Sequence, residues 1–326
     1  MLFDKFNRVH NYLRISLTDN CNLRCTYCMP EENYEFTPNN KLMQVDEIES
    51  IAKVFVSLGV NKIRLTGGEP FVRKDVREII QKLSKLPVTL TITTNGTRLD
   101  QYIDDIVKAN IKSINISLDT LQSDRFILMT RRDHLKDVRA NIDLLLKHNI
   151  KVKVNMVVLK GINEDEIIDF VEWTKEAPIH VRFIEFMPFT GNKWSSEKVI
   201  TWQNILEIVG AKYTIKPLDR EVHDTAKKYT VEGFEGTFAV ISTMSAPFCS
   251  DCNRIRLTAD GKIKNCLFSK TETDILTAFR GGENIENLIV ENISLKMKAL
   301  GGQFTDDMEK VDTEHITNRS MINIGG

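Results

Sequence analysis

The sequence has little net charge and lacks any long apolar run, and both absences narrow its possible functions. Its 326 residues carry a formal net charge of −1, whereas a general nucleic-acid or membrane-surface role needs a basic field or patch. No run approaches the roughly 18 apolar residues of a transmembrane helix. The segment Met1-Leu-Phe-Asp-Lys-Phe-Asn-Arg8 lacks the apolar centre of a secretion signal. We therefore expect a cytoplasmic protein without nucleic-acid or membrane partners.

Cysteine is scarce as well, yet the six cysteines are not scattered. They form two groups of three: Cys21, Cys25, Cys28 and Cys249, Cys252, Cys266. A cytosolic chain of this size does not need disulfides, so the grouping predicts two metal or iron–sulfur sites. Two zinc sites, or redox thiols, are the alternatives that the spacing alone leaves open.

The first group lies on one short stretch, Cys21-Asn-Leu-Arg-Cys25-Thr-Tyr-Cys28. Three thiolates on such a loop can hold three irons of a cubane cluster, and the fourth iron is then left without a protein ligand. Open coordination is typical of catalytic metal sites, whereas a closed site is structural. The spacing therefore predicts an iron that is open to a substrate or cofactor.

Residues 1–190 show a regular alternation of strand-like and helix-like segments. Short β-branched runs predict six strands: Leu13–Ser16, Lys62–Leu65, Thr89–Thr93, Ser113–Ser117, Lys151–Val158 and His180–Glu185. Between them, apolar residues recur at helical spacing, as at Val45, Ile48, Ala52 and Phe55. Such alternation implies right-handed crossovers and a parallel sheet. Six units are too few for a closed eight-fold barrel, so we expect an α/β fold with a partial (β/α)6 barrel of the TIM type.

Residues 191–326 follow a different pattern, which predicts an α+β region. We expect this region to close the barrel mouth. Its predicted elements are four short strands and a helix: Tyr229–Val231, Phe238–Ile241, Ile255–Thr258, Lys262–Lys264 and, near the end, Ile285–Leu300. This region carries the second cysteine group. A zinc site there would need a fourth ligand, but neither His223 nor Asp251 has the usual zinc-ribbon spacing. A second cluster with one open iron could instead bind a substrate directly.

In β/α barrels the chemistry lies at the carboxyl ends of the strands. The second predicted strand leads into Thr66-Gly-Gly-Glu-Pro70, where two glycines allow backbone to approach a ligand and Glu69 offers an acceptor for an ammonium group. Lys153 and Asn155 share one face of the fifth strand. For Lys153 a solvated outer position and a position inside the barrel are both open. For Arg14, on the first strand, a surface position is the ordinary expectation.

Arg254 and Arg256 lie two residues apart on a predicted strand, next to Cys252. The two-residue period places both guanidinium groups on one face. Two arginines on one face suit a polyanion, which they can bind through bidentate, charge-assisted hydrogen bonds. Solvated strand arginines are the alternative, and the neighbouring predicted metal ligand weakens it.

The Cys-x3-Cys-x2-Cys loop, with Tyr27 before its last cysteine and the Gly-Gly-Glu strand end after it, resembles the radical S-adenosylmethionine (SAM) enzymes. In that family the amine and carboxylate of SAM chelate the open iron, and one-electron reduction splits SAM into methionine and a 5′-deoxyadenosyl radical. The resemblance implies a 4Fe–4S cluster on the first cysteine group. It also implies a set of SAM contacts: Tyr27, Gly67, Gly68, Glu69, Asn95, Ser117 and Met187.

Both cysteine groups, the Arg254-Ile-Arg256 pair and the terminal Gly325-Gly326 together resemble the GTP 3′,8-cyclase family of molybdenum-cofactor biosynthesis over nearly the whole chain. The resemblance implies an auxiliary 4Fe–4S cluster on the second cysteine group, with its open iron on the guanine base. The implied GTP contacts are Arg14, Arg64, Thr93, Lys153, Arg254 and Arg256, with Lys62 and Arg182 as weaker candidates. The implied catalytic residues are Arg14, Arg254, Arg256, Gly325 and Gly326, and the two glycines are expected to thread into the active chamber.

The resemblance also implies a reaction and partners. The radical abstracts H3′ of GTP, and the C3′ radical adds to guanine C8. Reduction of the resulting radical by one electron, with uptake of a proton, then gives (8S)-3′,8-cyclo-7,8-dihydroguanosine 5′-triphosphate. The implied partners are a reductant such as flavodoxin or ferredoxin, a cyclic pyranopterin monophosphate synthase that receives the product, and a second copy of the chain in a homodimer. The alternatives are a radical SAM enzyme that acts on a peptide and a non-enzymatic iron–sulfur electron carrier.

Two positions depart from the family pattern. The family commonly has Asp-x-x-Gly-Arg near the start, where this chain has Asp4-Lys-Phe-Asn-Arg8 with Asn7 in place of glycine. Asn20 precedes Cys21 where arginine is common. Both lie outside the cluster ligands, so they concern the placement of the N-terminal segment rather than the class of reaction.

Overall fold

The computed structural model describes residues 1–30, 34–304, 307–311 and 316–325. In this part of the chain, the strands before residue 190 pair in sequence order, each parallel to the next. They are β1 (Tyr12–Ser16), β2 (Lys62–Thr66), β3 (Thr89–Thr94), β4 (Ser113–Ser117), β5 (Lys151–Val158) and β6 (His180–Glu185). The predicted partial barrel is confirmed. The bounds predicted for β4 to β6 agree with the structure, and those of β1 to β3 differ by one residue at one end.

Each crossover helix packs an apolar face on the sheet. The helices are α1 (Val45–Ser57), α2 (Val76–Leu83), α3 (Ile103–Lys108), α4 (Ser123–Thr130), α5 (Leu135–Lys147) and α6 (Ile167–Trp173). In α1, Ile48, Ala52 and Phe55 are fully buried, at the spacing that the sequence predicts. The chain leaves α1 at Gly59, whose φ of +103° is one that glycine adopts without strain.

Residues after 190 extend the same sheet at both of its edges. Beyond β6 lie β9, β8 and β7, and beyond β1 lie β10, β11 and β12. Their bounds are β7 (Ile215–Pro217), β8 (Lys227–Val231), β9 (Thr237–Ile241), β10 (Arg254–Leu257), β11 (Lys262–Lys264) and β12 (Thr273–Asp274). The innermost of these, β9 and β10, run parallel to their barrel neighbours, whereas the outer strands run antiparallel. The pairing of β10 with β1 brings the second cysteine group beside the barrel.

The helices of this region are α7 (Trp202–Gly210), α8 (Ile275–Arg280), α9 (Glu286–Ser294) and α10 (Met321–Ile324). The helix predicted near Ile285–Leu300 is α9, which ends at Ser294, so the predicted length is wrong. Beyond α9 the backbone carbonyls of Met297 and Lys298 accept hydrogen bonds from Arg8. Arg8 therefore occupies backbone carbonyl groups that would accept helical hydrogen bonds if α9 continued.

The alternation along β1 separates the core from the interior of the barrel. Leu13, Ile15 and Leu17 are fully buried in the main apolar core, whereas Arg14 points to the other face of the sheet. A second apolar cluster, which includes Phe186 and Ile324, joins the C-terminal segment to the barrel. Among the described residues, no helix is long and apolar enough to cross a membrane.

A tight N-terminal turn accounts for the departure at Asn7. The Asp4 carboxylate accepts the backbone N–H groups of Phe6 at 2.8 Å and Arg8 at 3.1 Å. Between them, Asn7 has a φ of +60°, in the left-handed region. This conformation favours glycine, and asparagine is among the few other residues that tolerate it. The substitution of asparagine for the family's glycine therefore preserves the turn.

We expect Asn7→Gly to leave the free energy of unfolding within about 0.5 kcal/mol of the original protein. Asn7→Val should lower it by about 1–2 kcal/mol, because a β-branched residue is strained at this φ. Anaerobic urea unfolding of the reconstituted protein, followed by fluorescence, measures both. Equal unfolding midpoints for the glycine and valine variants would contradict the turn described here.

Candidate active site

The first cysteine group follows β1 directly, on a loop held against the end of α4. The backbone N–H groups of Arg24 and Thr26 donate to the carbonyls of Thr130 and Met129, both at 2.9 Å. The three cysteines are half-buried and form no disulfide. Within the described ranges, no three Cys, His, Asp or Glu side chains are arranged to hold a single metal ion.

Burial in this loop favours the protonated form of the cysteine thiols. Burial raises the pKa of Cys21 to about 11 and that of Cys28 to about 12. A thiol must lose its proton to bind iron, and the positive charge of bound iron favours that loss. The donor set, three thiols on one short loop, fits the 4Fe–4S cluster that the sequence resemblance implies.

The Gly67-Gly68 pair packs against the residues that lead into the first cysteine group. A Cβ on Gly67 would lie 2.5 Å from the Thr18 carbonyl oxygen, and one on Gly68 would lie 2.4 Å from the Asn20 carbonyl oxygen. The glycines are therefore required by backbone packing within the chain, a reason that differs from the predicted approach to a ligand. The Asn20 side chain is exposed. The second departure from the family pattern therefore changes a side chain that takes no part in this backbone packing.

Glu69 ties the ends of β2 and β3 together. Its Oε1 accepts the Phe71 N–H at 3.0 Å and the Thr94 hydroxyl at 2.7 Å, and its Oε2 accepts the Asn95 N–H at 2.7 Å. The side chain is fully buried, and burial raises the pKa of Glu69 to about 7. The structure thus gives this carboxylate three donors from the chain itself, in addition to the predicted role at an ammonium group.

We expect Gly68→Ala to prevent the Gly67-Gly68 backbone from packing on the cysteine loop and so to lower the iron bound after reconstitution by about half, from eight to four atoms per chain. The cause is the added Cβ, which meets backbone oxygen that cannot move aside. Gly210→Ala, at the end of α7, is the matched control because nothing lies within 4 Å of its added Cβ. Iron analysis of both proteins checks the expectation, and full loading of the Gly68 variant would refute it.

Of the predicted SAM contacts, Asn95 lies next to Cys21 and Tyr27 lies within the first cysteine group. The Asn95 amide nitrogen lies 3.8 Å from Cys21 Sγ and donates to Asn22 Oδ1 at 2.9 Å. The Tyr27 hydroxyl donates to Asp119 at 2.8 Å, and the other Asp119 oxygen accepts the Val157 N–H. Ser117 ends β4, and Met187 follows β6 at the edge of a large cavity.

That cavity has a volume of about 580 Å³ and lies inside the barrel. All three cysteines of the second group border it. So do all the residues that the sequence resemblance assigns to GTP: Arg14, Lys62, Arg64, Thr93, Lys153, Arg182, Arg254 and Arg256. The structure therefore brings these side chains together. It places Lys153 in the interior, which the residues alone left open, and it also places Arg14 there, so the surface position expected for Arg14 is wrong.

Strand register explains how the cations meet. In the parallel pairing of β10, β1 and β2, Arg256, Arg14 and Arg64 occupy one row across the sheet. The next row on the same face, two residues earlier, holds Arg254, Tyr12 and Lys62. Residues in one row share a face and lie one strand spacing apart, about 4.8 Å. Long basic side chains from three strands thus converge on the same part of the cavity.

Several of these cations are buried close to one another. Burial and neighbouring positive charges lower the pKa of Lys153 to about 8, that of Arg182 to about 9 and that of Arg14 to about 10. Within the described chain, Arg182 Nε, Asn115 Oδ1 and Asn155 Oδ1 are buried without a hydrogen-bond partner. Buried charges and orphaned polar groups are costly unless a partner satisfies them. A polyanionic ligand would supply an acceptor for Arg182 Nε and would offset the buried positive charges.

Two residues of this region were not predicted from the sequence. The Tyr12 hydroxyl accepts a hydrogen bond from Arg64 Nε, and although burial raises its pKa, the positive charges of Arg64, Arg14 and Lys62 lower it to about 7. Tyr12 lies two residues before Arg14, so strand periodicity could have found it. The other is Lys296, which borders the cavity near Cys252 after α9; no local sequence pattern marks it.

At the second cysteine group, Cys252 is the most strongly perturbed thiol. Arg254 Nη2 lies 3.2 Å and Lys296 Nζ lies 3.4 Å from Cys252 Sγ. Burial alone would raise the pKa of Cys252, but the charges of Arg254 and Lys296 lower it to about 6. His223 and Asp251 contact each other, with His223 Nδ1 2.6 Å from the Asp251 carbonyl oxygen. The thiols and their cationic neighbours fit the auxiliary cluster that the resemblance implies.

The C-terminal segment reaches the same region. The Gly325 carbonyl accepts a hydrogen bond of 2.5 Å from Arg256 Nη1. Gly325 has a φ of +79°, and a Cβ there would lie 2.9 Å from Thr66 Oγ1 and 3.0 Å from Ser16 Cβ. Both the backbone conformation and the space therefore favour glycine. Gly326, predicted to act with Gly325, lies outside the described residues.

A partial β/α barrel with three thiols directly after its first strand defines a radical SAM protein. Residues 15–174 match the family described as the radical SAM superfamily, and residues 179–301 match molybdenum cofactor synthesis C. Among solved structures, *Streptococcus suis* SuiB bound to S-adenosylmethionine is similar with a TM-score of 0.61 at 15% identity, over 89% of this chain and 68% of that one. At this identity the likeness concerns the fold alone.

Curated relatives narrow the class of radical SAM protein to which the chain belongs. The chain is 44% identical to "GTP 3′,8-cyclase, mitochondrial" of *Arabidopsis thaliana*, over 100% of this chain and 84% of that one. It is 40% identical to "GTP 3′,8-cyclase" of *Syntrophomonas wolfei*, over 90% and 93%. The chain therefore belongs to the GTP 3′,8-cyclase family. It spans about half the length of other relatives, such as 52% of "Molybdenum cofactor biosynthesis protein 1" of *Dictyostelium discoideum*, with 47% identity.

Proposed function

We propose that this chain is a radical SAM GTP 3′,8-cyclase, a lyase that closes a bond between C3′ and C8 of GTP. The observation that carries the proposal is the cavity that five arginines and four lysines line together with three cysteines. GTP has a polyanionic triphosphate, which matches the basic side chains of that cavity. Its guanine base can coordinate iron, which matches the three cysteines. The family membership of the chain supports the same assignment.

The basic rows are proposed to bind the phosphates. Arg14, Arg64 and Arg256 lie in one row and Arg254 in the next, while Lys153 faces them from β5. Guanidinium groups bind phosphate through two parallel hydrogen bonds, so these arginines can fix orientation as well as charge. Thr93 lies 3.2 Å from Arg64 Nη1 and helps to orient it. Four phosphate charges would relieve the repulsion that lowers the pKa values of these groups.

The second cysteine group is proposed to hold the guanine end of the substrate through its 4Fe–4S cluster. Cys249, Cys252 and Cys266 border the same cavity as the arginines. A nucleotide held at both ends keeps its ribose in one place. Such positioning turns an encounter between separate molecules into a reaction within one complex, which is the main contribution that these protein groups make.

The first cysteine group is proposed to hold the second 4Fe–4S cluster, with SAM bound at the strand ends. When bound there and reduced, SAM supplies a carbon radical that removes a hydrogen atom. The side chains proposed to position SAM are Tyr27, Gly67, Gly68, Glu69, Asn95, Ser117 and Met187. Tyr27 is fixed for this task by Asp119, and Asn95 is fixed by Asn22. Arg256 is proposed to hold the Gly325-Gly326 end within the chamber.

We propose the partners, the compartment and the domain limits from the sequence and from the family membership of the chain. We propose flavodoxin or ferredoxin as reductant, a cyclic pyranopterin monophosphate synthase as recipient of the product, and a homodimeric state. We propose the cytoplasm as the compartment, although the *Arabidopsis* relative is named as mitochondrial. We also propose that residues 1–190 form the SAM-binding unit and residues 191–326 the auxiliary-cluster unit, which share one sheet.

The test is whether GTP controls SAM cleavage. Anaerobically reconstituted protein receives SAM and dithionite, with GTP, with ATP or with an unrelated peptide, and 5′-deoxyadenosine is measured. The proposal expects GTP alone to support rapid cleavage, and 2 mM sodium triphosphate to inhibit it by occupying the basic rows. Stimulation by the peptide instead of GTP would favour a peptide-modifying enzyme. Reversible reduction of both clusters without any SAM cleavage would favour an electron carrier.

A further inference from the structure

Lys296 borders the cavity, and its buried side chain is directed at a cysteine of the second group. Its Nζ lies 3.4 Å from Cys252 Sγ, 2.9 Å from the Arg254 carbonyl oxygen and 3.5 Å from His10 Nδ1. An ammonium group has three N–H donors, and these three acceptors use all of them. Lys296 therefore has no donor left for a nucleotide.

His10 fixes the orientation of this ammonium group. Both His10 and Asp4 have fully buried side chains, and His10 Nε2 lies 3.0 Å from Asp4 Oδ2. Burial and the positive charge of Lys296 lower the pKa of His10 to about 4. A neutral imidazole accepts at one nitrogen and donates at the other. His10 can therefore accept from Lys296 at Nδ1 while it donates to Asp4 from Nε2.

Arg8 joins the two segments that meet at this lysine. It pairs with Asp4, with 2.6 Å between Arg8 Nε and Asp4 Oδ2. Its Nη1 donates to the carbonyls of Cys249 and Lys298, both at 2.7 Å, and its Nη2 donates to the carbonyl of Met297 at 2.8 Å. The same N-terminal turn thus holds the loop that carries the second cysteine group and the segment that carries Lys296.

A cation at this position has a specific effect on a cluster. Reduction adds an electron to the cluster, and a hydrogen bond to a ligating sulfur stabilises the more negative state. The effect is strong where water is excluded, because the effective dielectric constant is low. Lys296 is 2% exposed, and Arg254 donates to the same sulfur. Both groups should make the cluster easier to reduce.

We propose that Lys296, held by His10 and Asp4, is a positioning residue that raises the reduction potential of the cluster on the second cysteine group. The inference rests on the proposed function only in requiring that this group holds an iron–sulfur cluster. In this proposal, the three connected side chains Asp4, His10 and Lys296 have a role that is separate from binding of the substrate.

The test is a redox titration of the anaerobically reconstituted full chain, without substrate, followed by electron paramagnetic resonance. Lys296→Met is compared with Lys298→Met, which removes the same charge from an exposed position on the same segment. We expect Lys296→Met to make reduction of the second cluster at least tenfold less favourable, about 59 mV for one electron. The cluster on the first cysteine group should keep its potential, and Lys298→Met should change neither.

Two further variants keep the test decisive if Lys296→Met fails to load its second cluster. Lys296→Arg retains the charge and should restore most of the potential, whereas Lys296→Gln should resemble methionine. Equal potentials for the original protein, the glutamine variant and Lys298→Met would overturn the inference. If the original protein itself binds only about four irons per chain, the proposed auxiliary cluster is refuted, which is a different failure.

Discussion

Cys25→Ala protein should bind about four irons per chain instead of about eight and should lose SAM cleavage altogether. Cys25 lies in the middle of the first cysteine group, and the loop offers no other thiol in its place. Two remaining thiols cannot hold three irons of a cubane, so the cluster that binds SAM is lost. Iron analysis and a 5′-deoxyadenosine assay measure the two effects separately.

Cys266→Ala provides the matched control, because it removes one ligand of the second group and leaves the first intact. This variant should also bind about four irons per chain but should retain slow SAM cleavage without forming a nucleotide product. The two variants should therefore bind the same amount of iron but differ in whether they cleave SAM. SAM cleavage at the original rate in Cys25→Ala, or full cellular function of that variant, would contradict the assignment and favour a role that needs no SAM.

Arg256→Ala should lower kcat/KM for GTP by about 100- to 1,000-fold. Arg256 shares a strand row with Arg14 and Arg64 and also holds the Gly325 carbonyl. Each hydrogen bond to a charged group contributes about 1.5–3 kcal/mol. At the lower end of that range, the loss of the proposed phosphate contact and of the Gly325 contact amounts to about 3–4 kcal/mol, which corresponds to that range of rates. Steady-state kinetics with varied GTP measure it.

Two controls separate geometry from charge at this position. Arg256→Lys retains the charge but lacks the planar pair of donors, so its kcat/KM should lie between those of the original and alanine proteins. Lys262→Ala, on the neighbouring strand β11, removes a partly exposed cation that pairs with Asp260 and should have little effect. An alanine variant at position 256 with unchanged kcat/KM would refute the proposed role of the arginine rows.

The strands and helices of the barrel were predicted well because each of them has a local pattern in the sequence. Strands β4, β5 and β6 lie between helical repeats and contain alternating β-branched residues, and their bounds were predicted from composition and period. The short strands β7 and β12 were missed, since three and two residues are too few to show a period. The helix predicted to Leu300 was too long because Arg8, far away in the sequence, binds the backbone beyond Ser294.

The site was predictable where its residues share a loop or a strand face. Both cysteine groups and the Arg254–Arg256 pair carry such local patterns. The interior position of Arg14 follows only from its register with Arg64 and Arg256, which no local pattern reveals. The roles of Gly67 and Gly68 also depend on tertiary contacts, because the backbone that they approach belongs to the cysteine loop. Contacts across hundreds of residues, such as those of Lys296, require the structure.

The central claim is that the chain presents C3′ of GTP to the carbon radical that SAM supplies. The most direct measurement uses GTP deuterated at C3′, with SAM and reductant, in the anaerobically reconstituted protein. The account predicts that deuterium appears in 5′-deoxyadenosine and that a cyclic dihydroguanosine triphosphate forms in equal amount. Unlabelled 5′-deoxyadenosine produced at the same rate, with GTP recovered unchanged, would contradict it.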